Sequence, residues 1–236
     1  MFIENYSKWH SNHLGRHFEM LKFGAQGYPV ILFPTSLGRY YESKDRGLIE
    51  SARWFVEQGK IQLYCVDSID ADSWYNRHIP AAKRAYNHAC YDDLLFNDIL
   101  PRIQSETGYE RIAVAGCSFG GYHASNFAFK HPENVSYLFS MSGTFDIKPR
   151  VDDHYDDNVY FNNPIDYMPD NEHPDLWRMG IILGVAEEDI SRGQNEYMSR
   201  VLDAKNIAHW LDIRPQTRHD WPVWKEMFPH YLSLIK

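Results

Sequence analysis

A chain of 236 residues suits one large α/β domain better than two small ones, and 44% hydrophobic with 15% aromatic residues can fill a substantial core. The net charge of −8 argues against nucleic acid as the main partner, because phosphate binding needs a basic patch. No run of about 18 apolar residues marks a membrane span; MFIENYSKWHSNHLG lacks the basic start and apolar block of a signal peptide; and Cys65, Cys90 and Cys117, without C-x-x-C spacing, fit a reducing compartment, so a cytoplasmic protein is expected.

Two candidate strands open the chain, Phe2 to Trp9 and His17 to Phe23. His10, His13 and His17 lie at helical spacing, but no carboxylate or cysteine set completes a ligand sphere, so no metal is expected there. Pro29 to Phe33, PVILF, is the short apolar run of a buried parallel strand, and it ends in Pro34-Thr35-Ser36-Leu37-Gly38. Glu42 to Gln58 reads as an amphipathic helix stopped by Gly59. Ile61 to Val66 is the next strand, followed by a polar, aromatic loop from Asp67 to Tyr75. Ala81 to Thr107 is expected to be largely helical, with Tyr91, Leu94, Leu95 and Ile99 facing the core and a break at Pro101. A strand over Arg111 to Gly116 leads into a helix over Gly121 to Lys130. Val135 to Ser142 and Gly180 to Val185 are strands, Gln194 to Lys205 a helix, Ala208 to Ile213 a strand, and Trp221 to Ile235 a final helix.

This alternation implies a mostly parallel sheet covered on both faces, within a single α/β domain spanning residues 1–236. Residues 144–178, rich in Asp, Asn, Pro and Tyr, are too long for an ordinary connection. They read as an excursion over the active face of the sheet, or as a solvated acidic loop without contact to substrate.

Gly116-Cys117-Ser118-Phe119-Gly120 has the form G-x-S-x-G between a strand and a helix. A serine on so sharp a turn needs neighbours without bulk, and its hydroxyl then stands at a helix N-terminus, where developing negative charge is favoured. The pattern reads as a nucleophile elbow, with a plain structural turn as the bland alternative. A serine nucleophile needs a base, and among 12 histidines His219, after the last strand, is placed best. His209 and His230 lie within a strand and a helix, and His123 is too local to swing onto Ser118. The acid belongs on the loop after Gly180 to Val185, where Glu187, Glu188 and Asp189 stand in a row. Asp189 is favoured, then Glu188, with Asp146 as a third candidate and Asp220 as a structural residue of the loop. The oxyanion needs N–H donors: Phe119 directly after the nucleophile, and Ser36, with Leu37 close behind, on the loop after PVILF. Pro34 cannot donate. Cys117 points into the packed sheet and reads as core. Leu37, Trp74 and Tyr75, with Tyr155, Tyr160 and Phe161 of the excursion, either line a substrate pocket or pack the excursion onto the domain.

PVILF with its loop, Ser73-Trp74-Tyr75, GCSFGGYHA, MSGTFD, the acid after GIILGVAEED, and HDWPVW together resemble the putative-esterase branch of the α/β-hydrolases, which includes esterase D, feruloyl esterases, enterochelin esterases and mycolyltransferases. The likeness covers roughly residues 28–235. It implies an α/β-hydrolase fold and a Ser–His–acid triad, carried here by Ser118, His219 and Asp189. Pro34-Thr35 stands where many relatives have His-Gly, which leaves the second oxyanion donor open. The expected function is hydrolysis of a small carboxylic ester through an acyl-enzyme, with no cofactor, no metal, and oligomeric state left open. A thioesterase or acyltransferase would use the same residues, and a non-catalytic binding protein that kept the fold is the reading from another class.

Overall fold

Runs such as VILF and IAVAGC have no polar face, so they belong in the middle of a sheet covered on both sides. The computed structural model describes residues 2–236. Eight strands form one sheet in the order β1-β2-β4-β3-β5-β6-β7-β8. They are β1 (Glu4–Ser11), β2 (Arg16–Phe23), β3 (Tyr28–Phe33), β4 (Ile61–Val66), β5 (Ile112–Cys117), β6 (Val135–Met141), β7 (Gly180–Glu188) and β8 (His209–Arg218). β1, β2 and β4 pair antiparallel, and every pairing from β4 through β3 and β5 to β8 is parallel. Every residue of β4 and β5 is buried.

The period of two along a strand divides β3 between two cores. Ile31 and Phe33 face Tyr91, Leu94 and Phe127. Val30 and Leu32 face the layer of Leu48, Ile49, Trp224, Met227 and Phe228. The first layer is built by α1 (Ala81–Leu94), α2 (Leu100–Thr107), α3 (Phe119–Lys130) and α4 (Arg192–Ala204); the second by α5 (Trp221–Leu232) and residues 42–57. No helix among the described residues is long and apolar enough to cross a membrane.

Several boundaries differ from the sequence expectation. Residues 42–58 are not one helix but three short turns, Glu42–Asp45, Leu48–Ser51 and Arg53–Glu57: Gly47, left-handed at φ 77°, breaks the first from the second, and Ala52, at φ −95° and ψ 0°, separates the second from the third. The break expected at Pro101 takes the form of a π-helical turn, Leu95–Ile99, that joins α1 to α2. His10, His13 and His17 do not lie on a helix: His10 and His17 are cross-strand partners in the β1–β2 hairpin. Both β7 and β8 run longer than their apolar cores, held by the pairs Ala186↔Arg214 and Glu188↔Arg218 across an irregularity in register. Glu187 and Glu188 therefore belong to the strand. Asp189 and His219 are the first residues past β7 and β8 respectively.

Residues 144–178 contain only short turns. Ile147, Val151 and Val159 are buried with Trp74, Ala85, Phe119 and Tyr122, which fastens this segment onto α1 and the start of α3.

Candidate active site

The turn between β5 and α3 holds Ser118 at φ 56°, ψ −121°, a conformation that side-chain-bearing residues rarely adopt. Its neighbours allow this because they have no Cβ. A methyl at Gly116 would sit 2.2 Å from Gly120 O, and one at Gly120 would sit 2.5 Å from Pro34 O. The second contact presses the elbow against the loop that follows β3. Cys117, between them, is buried, and burial pushes its thiol pKa well up.

The ends of β7 and β8 bring two further side chains to Ser118. His219 Nε2 lies 2.9 Å from Ser118 Oγ. Its Nδ1 lies 2.8 Å from Asp189 Oδ1, and the Asp189 side chain is fully shielded from solvent. Burial pushes the Asp189 pKa up, but hydrogen bonds from His219, Ser142 and Ser191 outweigh it and hold it at about 2. An ionised Asp189 accepts the Nδ1 proton of His219, which leaves Nε2 with the lone pair that can take the proton of Ser118. The HDWPVW segment supports this pose. Asp220 caps α5 by accepting from Trp221 N at 2.7 Å, and Trp224 sets its ring edge-on to His219 at 5.0 Å while donating to Ser142 Oγ at 2.9 Å.

The other carboxylates named from the sequence go elsewhere. Glu187 accepts from Gln216 N and Glu188 from Arg218 Nε. Asp146 accepts from Lys148 N and Asn163 Nδ2. His209 hydrogen-bonds Ser199, and His230 packs on Trp210.

Hydrogen bonding sorts the amides of the loop after β3. Thr35 N donates to Glu42 Oε2, Leu37 N to Asp70 Oδ2 and Gly38 N to Thr35 O. Among the described residues, the amides of Ser36 and Phe119 have no hydrogen-bond partner. The Ser36 hydroxyl accepts from the Tyr75 hydroxyl at 2.5 Å. Leu37 is 52% exposed and Tyr75 half-buried, so both side chains reach the surface. Trp74 does not. It is wholly buried, with its indole N–H on the Tyr122 hydroxyl, because the polar tip of a buried Trp needs a partner and finds it inside. Tyr160 and Phe161 line a separate cleft with Phe129, Lys130 and Tyr167, and Tyr155 donates to Asp166.

Two side chains went unread in the sequence. Asp70 is fully buried and bridges Leu37 N (2.9 Å) and His123 Nε2 (2.9 Å), so it links the loop after β3 to α3. Arg150, from the 144–178 segment, reaches the rings of Tyr75 and Phe119. Neither has a local pattern that would single it out. Among the described residues no three His, Cys, Asp or Glu side chains cluster as metal ligands would.

Likeness to known proteins agrees with this architecture. A ferulic acid esterase has a superimposable fold (TM-score 0.78, 15% identity, 98% of this chain and 97% of that one). So do an S-formylglutathione hydrolase from Staphylococcus aureus (0.79, 12%, 99% and 98%) and a fluorophosphonate-binding serine hydrolase from the same organism (0.73, 14%, 98% and 97%). At such identities the likeness establishes the α/β-hydrolase fold. No curated protein matches the sequence. The model of the family described as "Putative esterase" matches residues 25–233. The chain belongs to that family and is a hydrolase of the carboxylesterase type.

Proposed function

We propose that the chain cleaves carboxylic esters through an acyl-enzyme on Ser118, with His219 as base and Asp189 as the acid that orients it. One observation carries the reading: the unbroken hydrogen-bonded row from Asp189 Oδ1 through His219 to Ser118 Oγ, at 2.8 and 2.9 Å. His219 Nε2 takes the Ser118 proton as Oγ attacks the ester carbonyl, and the resulting imidazolium is stabilised by Asp189. The oxyanion sits between the amides of Phe119 and Ser36, the two left without protein partners. Collapse of the intermediate expels the alcohol with the proton from Nε2; water then attacks the acyl-enzyme by the same steps in reverse order. No step calls for a cofactor. A thiol ester or an acceptor other than water would use the same row. The unbroken sheet from β1 to β8 supports reading residues 1–236 as one domain.

The test joins labelling to turnover. The protein should hydrolyse short p-nitrophenyl acyl esters and be labelled by a fluorophosphonate at Ser118 alone. Ser118→Ala should lose about 10³-fold or more in kcat, leaving what binding and the oxyanion donors achieve without a nucleophile. Near-wild-type turnover by Ser118→Ala would reject the assignment.

A further inference from the structure

The 144–178 segment brings one side chain to the site that the chemistry above does not use. Arg150 ends the turn Lys148–Arg150, between the buried Ile147 and Val151, while Asp152 beyond it is gripped by Arg77 and Arg84. Anchored on both sides, the guanidinium carbon lies over the Tyr75 ring at 3.9 Å and over the Phe119 ring at 4.8 Å from their centroids. Both rings adjoin the proposed oxyanion donors. Phe119 supplies one amide itself, and the Tyr75 hydroxyl is bonded to the hydroxyl of Ser36, which supplies the other.

Arg150 Nη2 donates to the Tyr75 hydroxyl at 2.7 Å. Its Nε and Nη1 have no partner, and Arg150 joins no ion pair, among the described residues. Tyr75 takes one of the two N–H groups of Nη2, so one of the two forked edges that Nη2 shares with Nε and Nη1 stays free, and that planar fork matches a carboxylate. With a net charge of −8 the surface at large repels anions, so a guanidinium outside any ion pair, bonded to the tyrosine that holds the Ser36 hydroxyl, is a selective landing point.

We propose that Arg150 selects esters that carry a carboxylate near the scissile carbonyl, as half-esters of dicarboxylic acids do. The proposal rests on Ser118 being the nucleophile. The carboxylate takes the free edge of Arg150 while the ester carbonyl enters between Phe119 and Ser36.

The experiment compares two substrates of one shape, the 4-nitrophenyl half-ester of glutaric acid and the corresponding neutral half-amide ester, by the ratio of their kcat/KM values. The wild-type ratio should favour the anion. In Arg150→Met the ratio should fall about tenfold to a hundredfold, mainly through KM, as expected for loss of a charge-assisted hydrogen bond; Arg150→Lys should lie between. An unchanged ratio, with both esters slowed alike, would overturn the proposal and leave Arg150 as a support for Tyr75. A second measurement does not depend on turnover. Glutarate titrated calorimetrically into Ser118→Ala protein should bind, and binding should vanish when Arg150→Met is added. Inactivity toward both esters would sink the Ser118 assignment, while the titration would still decide Arg150.

Discussion

Glu187, Glu188 and Asp189 carry the same charge in three consecutive residues, yet strand length and side-chain reach send them to different partners. The two glutamates close the edge of β7 against Gln216 and Arg218, both in solvent. Asp189, one residue past the strand, turns inward and accepts from Ser191 N, Ser191 Oγ and His219 Nδ1, each at 2.8 Å. All three bonds converge on Oδ1; an amide oxygen there carries no full charge to stabilise an imidazolium, and its NH2 group can only donate. Asp189→Asn should therefore lose up to about 10⁴-fold in kcat/KM on an activated ester, whereas Glu187→Gln and Glu188→Gln should stay within a few-fold. Rates for the three single mutants decide it, and a crippled Glu188→Gln would move the acid by one residue. The sequence located this row because chain order and loop position are local properties. It could not reveal Asp70 or Arg150, whose contacts depend on residues brought together by the fold, such as Leu37 and Asp70, or Tyr75 and Arg150.

Elements whose burial is uniform or strictly alternating were legible from residues alone. β3, β4 and β5 fall within a residue or two of the apolar runs that announce them. Where an element is decided by one backbone conformation or by a neighbour, the pattern misled. Gly47 divides residues 42–58, and polar residues extend β7 and β8 because each pairs with the other. Those extra pairs set the height at which Asp189 and His219 leave the sheet. The loop after β3 is likewise fixed from outside, by Asp70 bridging it to His123 on α3. Asp70→Ala strands two donors, Leu37 N at the surface and the buried His123, whose loss of a partner alone costs about 1–3 kcal/mol. The melting temperature should drop by several degrees, and kcat should fall further than KM rises, because the Ser36 amide loses its fixed setting relative to Phe119. Thermal melts and steady-state rates on one ester check this; an unchanged kcat in a less stable protein would confine Asp70 to the fold.

Over the whole molecule the same burial that fixes the site makes stability depend on pH. His88 is fully buried against Tyr122 and His123, and burial, with His123 nearby, holds its pKa well below the ordinary 6.5. The unfolded chain takes up that proton as pH falls below about 6.5 while the folded chain does not, so stability present above this pH declines below it. Asp92, on α1, faces the end of α3, accepting from Lys130 at 2.7 Å and His131 at 3.2 Å. Burial pushes its pKa up, but hydrogen bonds and charge from His131 and Lys130 outweigh this and hold it at about 2, against an ordinary 3.8. Its contribution, roughly 2–3 kcal/mol, is complete above the unfolded value near 4 and is lost as pH falls toward 2. Stability to urea should then decline in two stages, one beginning near pH 6.5 and a steeper one below pH 4, where other paired carboxylates join. His88→Gln should flatten the first stage, since glutamine takes up no proton in either state. Asp92→Asn should lower stability at pH 7 and shrink the second stage. Urea midpoints for the three proteins at pH 7.5, 5.5, 4 and 3 measure both effects, and a first stage that persists in His88→Gln would assign it to another histidine.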